Sequence, residues 1–298
     1  MATAIAWMFS FAAPSLSQEA QEDVAPPEAV PAGPPIEAEE IADPAEEETR
    51  LLLEAIIAGD HRSDTGKARD RYRHPVATLL WMGLRPDMTV VEITPGGGWY
   101  LNIIAPVLRG KGTYYAANRD AETWWPRSVL PYAQSGADRI RNRLNERPDL
   151  FDEVQMTILL EGAGIAPAGT ADLVLTFRNV HNWMMAGRQA EVFASAFAAL
   201  KPGGTFGVVE HRGDPGELQD PKGAKGYVRE DAVIELARAA GFELVGSIGI
   251  NNNPRDTKDY EKGVWTLPPT LRLGDEDHEK YLAIGESDRM TLKFQRPL

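Results

Sequence analysis

The apolar positions of this chain alternate between short continuous runs and stripes at helical spacing. Val90, Val91 and Ile93 are β-branched and consecutive enough to predict a strand buried on both faces. Gly96, Gly97 and Gly98 follow, and then Leu101, Ile104, Ala105 and Leu108 recur as a helical stripe. The same alternation continues downstream. Thr113–Ala117, Val154–Leu160, Ala171–Phe177, Thr205–Val209 and Phe242–Ile250 read as strands, and Met290–Arg296 alternates as a seventh. Between them, 122–150, 188–200 and 229–240 carry helical spacing, the first with Trp124, Trp125, Leu130, Tyr132, Ile140 and Leu144 on its apolar side. Upstream, Leu51, Leu52, Leu53, Ile56 and Ile57 predict a short helix stopped by Gly59, and Pro75 opens another that ends at Gly83. Strands alternating with helices predict an α/β fold, a mostly parallel seven-stranded Rossmann-like sheet with helices on both faces.

In such a sheet, ligands bind beyond the carboxyl ends of the strands. The polar residues that follow the predicted strands gather there: Glu92, Asn118, Glu161, Asn179, His181, Glu210, His211 and Asn251. The glycine turn after the first strand brings peptide N–H groups and a helix start up to a ligand. A phosphate-binding loop needs Gly-Lys-Ser/Thr, which this turn lacks. A dinucleotide turn fits Gly96 and Gly98 but meets Leu101 at its third glycine, which disfavours a nicotinamide oxidoreductase. The acidic-x-G-x-G-x-G turn of S-adenosylmethionine (SAM) enzymes fits Glu92, Gly96 and Gly98, with Thr94 at the first glycine. A tight βα turn with no ligand remains an alternative.

Composition narrows the setting. The chain has 298 residues, 43% of them hydrophobic, enough for one sizeable domain. It has no cysteine, which excludes disulfides, thiolate metal sites and a cysteine nucleophile. The net charge of −13 is local, because residues 19–48 hold eleven acidic residues and no Lys or Arg. The remaining acidic residues nearly balance the 31 basic ones, so no basic face for nucleic acid is expected. Residues 18–48 are rich in Pro, Ala and Glu and read as a disordered acidic linker. Residues 1–17 are an apolar start too short to span a bilayer. They read as a signal peptide with Ser15 and Ser17 at its cleavage site, although no Lys or Arg precedes the apolar run. The expectation is an exported, periplasmic protein without stable membrane insertion, with a cytoplasmic location as the alternative. The domain is then 49–298, with 49–83 as an N-terminal helical lid. The dense polar stretch His61–Pro75 within it is either a solvated connection or a cover over the ligand site. In the second case Arg69, Asp70, Arg71, Tyr72 and Arg73 are candidate substrate contacts.

From Gly83 to Leu298 the chain resembles the class I SAM-dependent methyltransferases. The resemblance rests on GLRPDMTVVEITPGGG, ADLVLTF, ALKPGGTFGVVE and YVREDAVIELARAAGFELVG, in that order. The pieces RDRYRHP, PGGGWY, NVHNW, VVEHR, GVWTLPP and IGESDRM are similar to a group of bacterial predicted methyltransferases that often carry export signals. The resemblance implies SAM as cofactor, with Glu92, Thr94 and Gly96, Gly97 and Gly98 at its methionine end. It also implies Asn118 at the ribose, Glu161 near the adenine amine, and Asn179 beside the cofactor. Thr94 for glycine and Asn118 for an acidic residue are its two departures.

Methyl transfer needs alignment, exclusion of water and, for some acceptors, a base. His181 is the first candidate base and His211 the second; a structural histidine held by loop hydrogen bonds is the competing reading of His181. Trp183 and Arg212, with Arg69 and Tyr72, are the candidate contacts to a small planar or anionic acceptor. No metal is expected, because the adjacent Glu210 and His211 rarely face one ion. The reading from another class is a non-catalytic nucleoside-binding or scaffold protein on a methyltransferase fold. Deleting residues 1–48 is expected to leave the melting temperature nearly unchanged, and a clear drop would show that the tail docks.

Overall fold

The structure is a computed structural model, and it describes residues 43–119, 138, 140–159 and 164–298. The expectations for the signal peptide, most of the acidic linker, Trp124, Trp125, Leu130, Tyr132 and Glu161 lie outside the described residues.

Seven strands form one sheet: β1 (Thr89–Ile93), β2 (Thr113–Arg119), β3 (Gln155–Leu159), β4 (Ala171–Phe177), β5 (Leu200–His211), β6 (Glu243–Ser247) and β7 (Arg289–Gln295). Their order is β3-β2-β1-β4-β5-β7-β6. The first five pair in parallel, and β7 runs antiparallel between β5 and β6. The strand order switches from one side to the other at the parallel β1/β4 pair, and the crevice above that pair is where such sheets bind ligands.

The alternation along each central strand divides the core in two. Val91, Ile93 and Val174 join one apolar cluster with Trp183, Phe193, Phe206, Phe242 and Phe294. Val90, Leu173 and Leu175 join the other with Leu53, Leu79, Leu101 and Ile104. Successive side chains point to opposite faces, so a run without polar positions fills both layers. Each such side chain, fully buried, contributes about 1.5–3 kcal/mol. Gly112 sits where the chain turns into β2, and a Cβ there would lie 2.4 Å from the Met88 carbonyl oxygen.

Four boundaries differ from the sequence reading. The first helix begins at Pro44, not near Thr49, and runs to Ala58. The Asp43 side chain accepts from Ala45 N–H, Pro44 takes the first turn, and Glu46 and Glu47 face the helix N-terminus. A composition typical of disordered linkers therefore also spells a helix start. Thr49 and Leu53 on this helix are buried, and it packs against the helices Leu101–Leu108 and Pro75–Met82. β5 extends past Val209, pairing His211 with Arg289. β6 is shorter than expected, with an alternately exposed edge. A short helix, Val180–Met185, stands where only a polar loop was expected. No helix among the described residues is long and apolar enough to cross a membrane.

Two truncations separate tail from domain. Removing residues 1–42 is expected to leave the melting temperature within about 2 °C, because no part of the capped helix is lost. Removing 1–48 takes away the Asp43 cap, the first turn and the Glu48–Lys111 ion pair, and is expected to cost about 1 kcal/mol or more. Equal melting temperatures for the two would place the functional start of the domain at Thr49 after all.

Candidate functional site

The turn after β1 is built from left-handed backbone. Thr94 has φ 56°, Gly96 φ 61° and Gly98 φ 77°. For a residue with a Cβ this conformation costs about 1–2 kcal/mol. Thr94 therefore keeps the backbone geometry that glycine would supply at the first motif position. Its N–H donates to Ala117 at 2.8 Å, which pins it to β2. Gly97 lies outside the left-handed region, yet a Cβ on Gly96 or Gly97 would meet no atom within 4 Å. The space above these glycines belongs to a cavity of about 320 Å³, lined among others by Glu92, Thr94, Tyr100, Arg178 and Asn179. Tyr100 stacks on Phe177 with ring centroids 3.4 Å apart, which joins the turn to the end of β4. The Asn179 amide lies 3.2 Å from the carbonyls of Ile93, Thr94 and Phe177. It ties β1 to β4 while its residue lines the cavity.

Four arginines converge on one carboxylate at the rim. Arg69 Nε donates to Glu286 Oε1 at 2.6 Å, and Arg73 Nε and Arg289 Nη1 reach Oε2 at 3.2 and 3.0 Å. Arg178 Nη1 lies 4.0 Å from the same oxygen. Arg69 and Arg73 come from the polar stretch before Pro75, Arg178 from the end of β4 and Arg289 from the start of β7. Arg178 also has left-handed backbone, φ 61°, held by its N–H to Val209 at 2.7 Å. Burial alone would raise the Glu286 carboxyl, but Arg73, Arg289, Arg178 and Arg69 outweigh it and hold the group at about 2. Burial lowers Arg178 to about 10. The Arg73 guanidinium also lies over the Trp99 ring at 4.5 Å. The stretch 61–75 is therefore two short helices, Asp64–Lys67 and Asp70–Arg73, with Arg73 buried beneath. Ser63, Arg69 and Arg73 of this stretch line the cavity, while Asp64, Thr65, Ala68 and Arg71 face solvent.

At the floor, Glu92 is buried and accepts from the Tyr114 hydroxyl. Burial raises its carboxyl to about 7, against the opposing pull of Tyr114, Arg178 and Arg73.

Several candidate residues stand elsewhere. His181 Nδ1 donates to Glu210 Oε1 at 3.0 Å, and His211 Nδ1 is hydrogen-bonded to Ser287. Neither histidine lines the cavity above the glycines. Burial, then His181 and the arginines, push His211 well below the ordinary histidine range. Trp183 is not an aromatic wall: it is fully buried against Phe193, because helix 180–185 turns it into the core. The rings beside His181 are His211, 5.4 Å away, and Trp265, 6.0 Å away. Arg212 is not free for a substrate either, since it pairs with Glu230 at 3.2 Å and Asp288 at 3.5 Å and donates to Asn252. Tyr72 lines a neighbouring cavity with Asn251 and Arg289. Asn118 stands at the end of β2 and donates to Ala116.

His181, Glu210 and His211 do bring one possible ligand atom each within 4.8 Å of one another, so adjacency of Glu210 and His211 was not a sound reason to dismiss a metal. The carboxylate, however, is already saturated. Oε2 accepts from Val180 N–H at 2.6 Å and His181 N–H at 3.3 Å, and Oε1 from the His181 ring and from His211 N–H at 2.7 Å. Glu210 is thereby the anchor for the start of helix 180–185. Glu286, Arg289, Arg178 and Tyr100 were residues that sequence reasoning missed. The only signal for the first two was their place in IGESDRM.

The Glu92 environment makes stability pH-dependent in a defined direction. Its folded pKa, about 7, lies above the ordinary 4.5, so the folded state holds a proton that the unfolded chain releases. The contribution is complete below about 4.5 and is lost as pH rises to 7. Relative to wild type, Glu92→Gln is expected to gain stability progressively between pH 5 and 7, read as urea midpoints. Parallel pH profiles for the two proteins would show that Glu92 is ionised throughout.

No protein-family model matches the chain, and no curated protein matches it. Solved structures do. The [4+2]-cyclase SpnF is 16% identical with TM-score 0.51, covering 85% of this chain and 95% of its own. The geranyl diphosphate C-methyltransferase from Streptomyces coelicolor A3(2), in complex with Mg2+, geranyl diphosphate and S-adenosyl-L-homocysteine (SAH), is 13% identical with TM-score 0.51. It covers 86% of this chain and 99% of its own. One is named a cyclase and the other a methyltransferase, so this likeness fixes architecture and not reaction. By strand order and by these neighbours, the chain has the class I methyltransferase fold.

Proposed function

We propose that the protein binds SAM at the β1 turn and transfers its methyl group to a small-molecule acceptor. The observation that carries this reading is the turn itself. Left-handed Thr94, Gly96 and Gly98 hold two glycines open to a cavity, with a buried carboxyl, Glu92, at the base. Glycines with nothing within 4 Å of a Cβ suit close approach of a ligand to backbone. The amino-acid end of SAM fits such a site: Glu92 takes the ammonium, and the backbone N–H groups of the glycine turn take the carboxylate. SAM supplies a methyl on a sulfonium, which passes to the acceptor's lone pair as the carbon–sulfur bond breaks and its electrons return to sulfur, leaving SAH. The chain's residues position the partners and exclude water, with the 64–73 helices as cover and the Tyr100–Phe177 stack as wall. An acceptor that is already nucleophilic needs no base from the cavity.

The non-catalytic reading retains one specific support, that neither His181 nor His211 lines the cavity. Both readings require SAM or SAH binding; only the first requires turnover.

Calorimetry on the full chain with SAH, SAM and NAD tests the site. SAH and SAM are expected to bind with one site per chain, and NAD not at all. Gly97→Ala is expected to weaken SAH at least about tenfold, or 1.4 kcal/mol, with an unchanged melting temperature, because its backbone accepts a Cβ and the methyl enters only empty space. NAD binding with no SAH binding would contradict the proposal, as would an unaltered SAH affinity in the variant.

A further inference from the structure

The charge around the cavity is not balanced. Arg69, Arg73, Arg178 and Arg289 face one carboxylate, Glu286, which lines the neighbouring cavity, and the acid lining the cavity over the glycines among the described residues is Glu92. Arg73 is 1% exposed, and both of its terminal nitrogens are buried without a hydrogen-bond partner. Arg69 Nη2 is in the same position. A buried guanidinium nitrogen with no acceptor is costly, and here several of them border one space. Arg69, Arg73 and Arg178 all line the cavity over the glycines. Arg69 and Arg73 come from the ends of one short helix and Arg178 from the end of β4, so two separate elements converge there.

Bound SAM deepens the imbalance. Its sulfonium and ammonium outnumber its carboxylate, so it adds a net positive charge to a site that already has an excess. Its carboxylate, held by the N–H groups of the glycine turn, leaves the guanidiniums without an acceptor. The second ligand must therefore bring negative charge. We propose, building on the reading above, that the acceptor is an anion whose carboxylate or phosphate group is gripped by Arg69, Arg73 and Arg178 beside the glycine turn. Three planar guanidiniums bordering one cavity suit an oxyanion with several acceptor oxygens. Arg69 and Arg178, whose side chains are 25% and 24% exposed, give that group a route in from solvent. The Arg289–Glu286 pair behind them fixes the guanidiniums and lies against the neighbouring cavity.

The test uses the full chain, inorganic phosphate as probe and chloride to hold ionic strength constant. Phosphate binding is measured by calorimetry with and without saturating SAH, on wild type, Arg178→Gln, Arg69→Gln and Arg178→Lys. Phosphate is expected to bind the SAH complex. Each glutamine variant is expected to weaken phosphate at least about tenfold while SAH affinity moves less than about threefold. Arg178→Lys is expected to recover part of the loss. Circular dichroism melting confirms that each variant is folded, and the two independent sites guard against one that is not. Phosphate that binds only without SAH and competes with it would overturn the proposal, assigning the guanidiniums to the cofactor's carboxylate alone. No phosphate binding in either form would overturn it too, making the cluster an internal brace. Phosphate binding without any SAH binding would keep the anion site and remove the methyl-transfer reading.

Discussion

The Glu286 carboxylate is the fixed point of the site. It joins the segment before Pro75, the end of β4 and the start of β7 through four guanidiniums. Burying so many cations against one anion is unfavourable unless the geometry is held by other contacts. Those contacts are present. Arg289 also donates to the Tyr72 carbonyl, Arg73 lies on the Trp99 ring, and Arg178 is anchored by its backbone to Val209. The fold thus maintains a positive pocket directly beside the glycine turn. Fixed charge in a water-poor cleft acts more strongly on a ligand than the same charge in solvent.

Left-handed residues mark the same place. Thr94 at the end of β1 and Arg178 at the end of β4 both hold positive φ, and both line the cavity. Such residues persist only where surrounding structure over-determines them. Here Asn179 bridges the two strand ends and Tyr100 stacks across them. The histidines serve a different purpose. Glu210 gathers the N–H groups at the start of helix 180–185, and His181 completes that anchor.

Much of this architecture was legible in the chain. Short apolar runs, and one alternating run at the end, located all seven strands, and β4 was placed to the residue, because it is buried on both faces along almost its whole length. The glycine turn was legible from its spacing, and even the departure at Thr94 pointed to a position that structure shows to be left-handed. The helix start at Asp43 was hidden because Pro, Ala and Glu suit both a linker and a first turn. Trp183 was misplaced because helix 180–185 is only six residues long, too short to show a period. The arginine cluster was legible only in part. Arg69 and Arg73 stood out as charges in a dense segment, but their common partner Glu286 lies more than two hundred residues away. No local pattern carries a contact of that range.

The central claim is that the β1 turn and the guanidinium pocket form one ligand site, with cofactor and acceptor side by side. A crystal structure of the full chain grown with SAH and inorganic phosphate tests it most directly. The account predicts density for the amino-acid end of SAH over Gly96 and Gly97, within hydrogen-bond reach of Glu92, and phosphate among Arg69, Arg73 and Arg178. SAH density away from the glycine turn, or a pocket in which the guanidiniums meet only Glu286 and water, would contradict it.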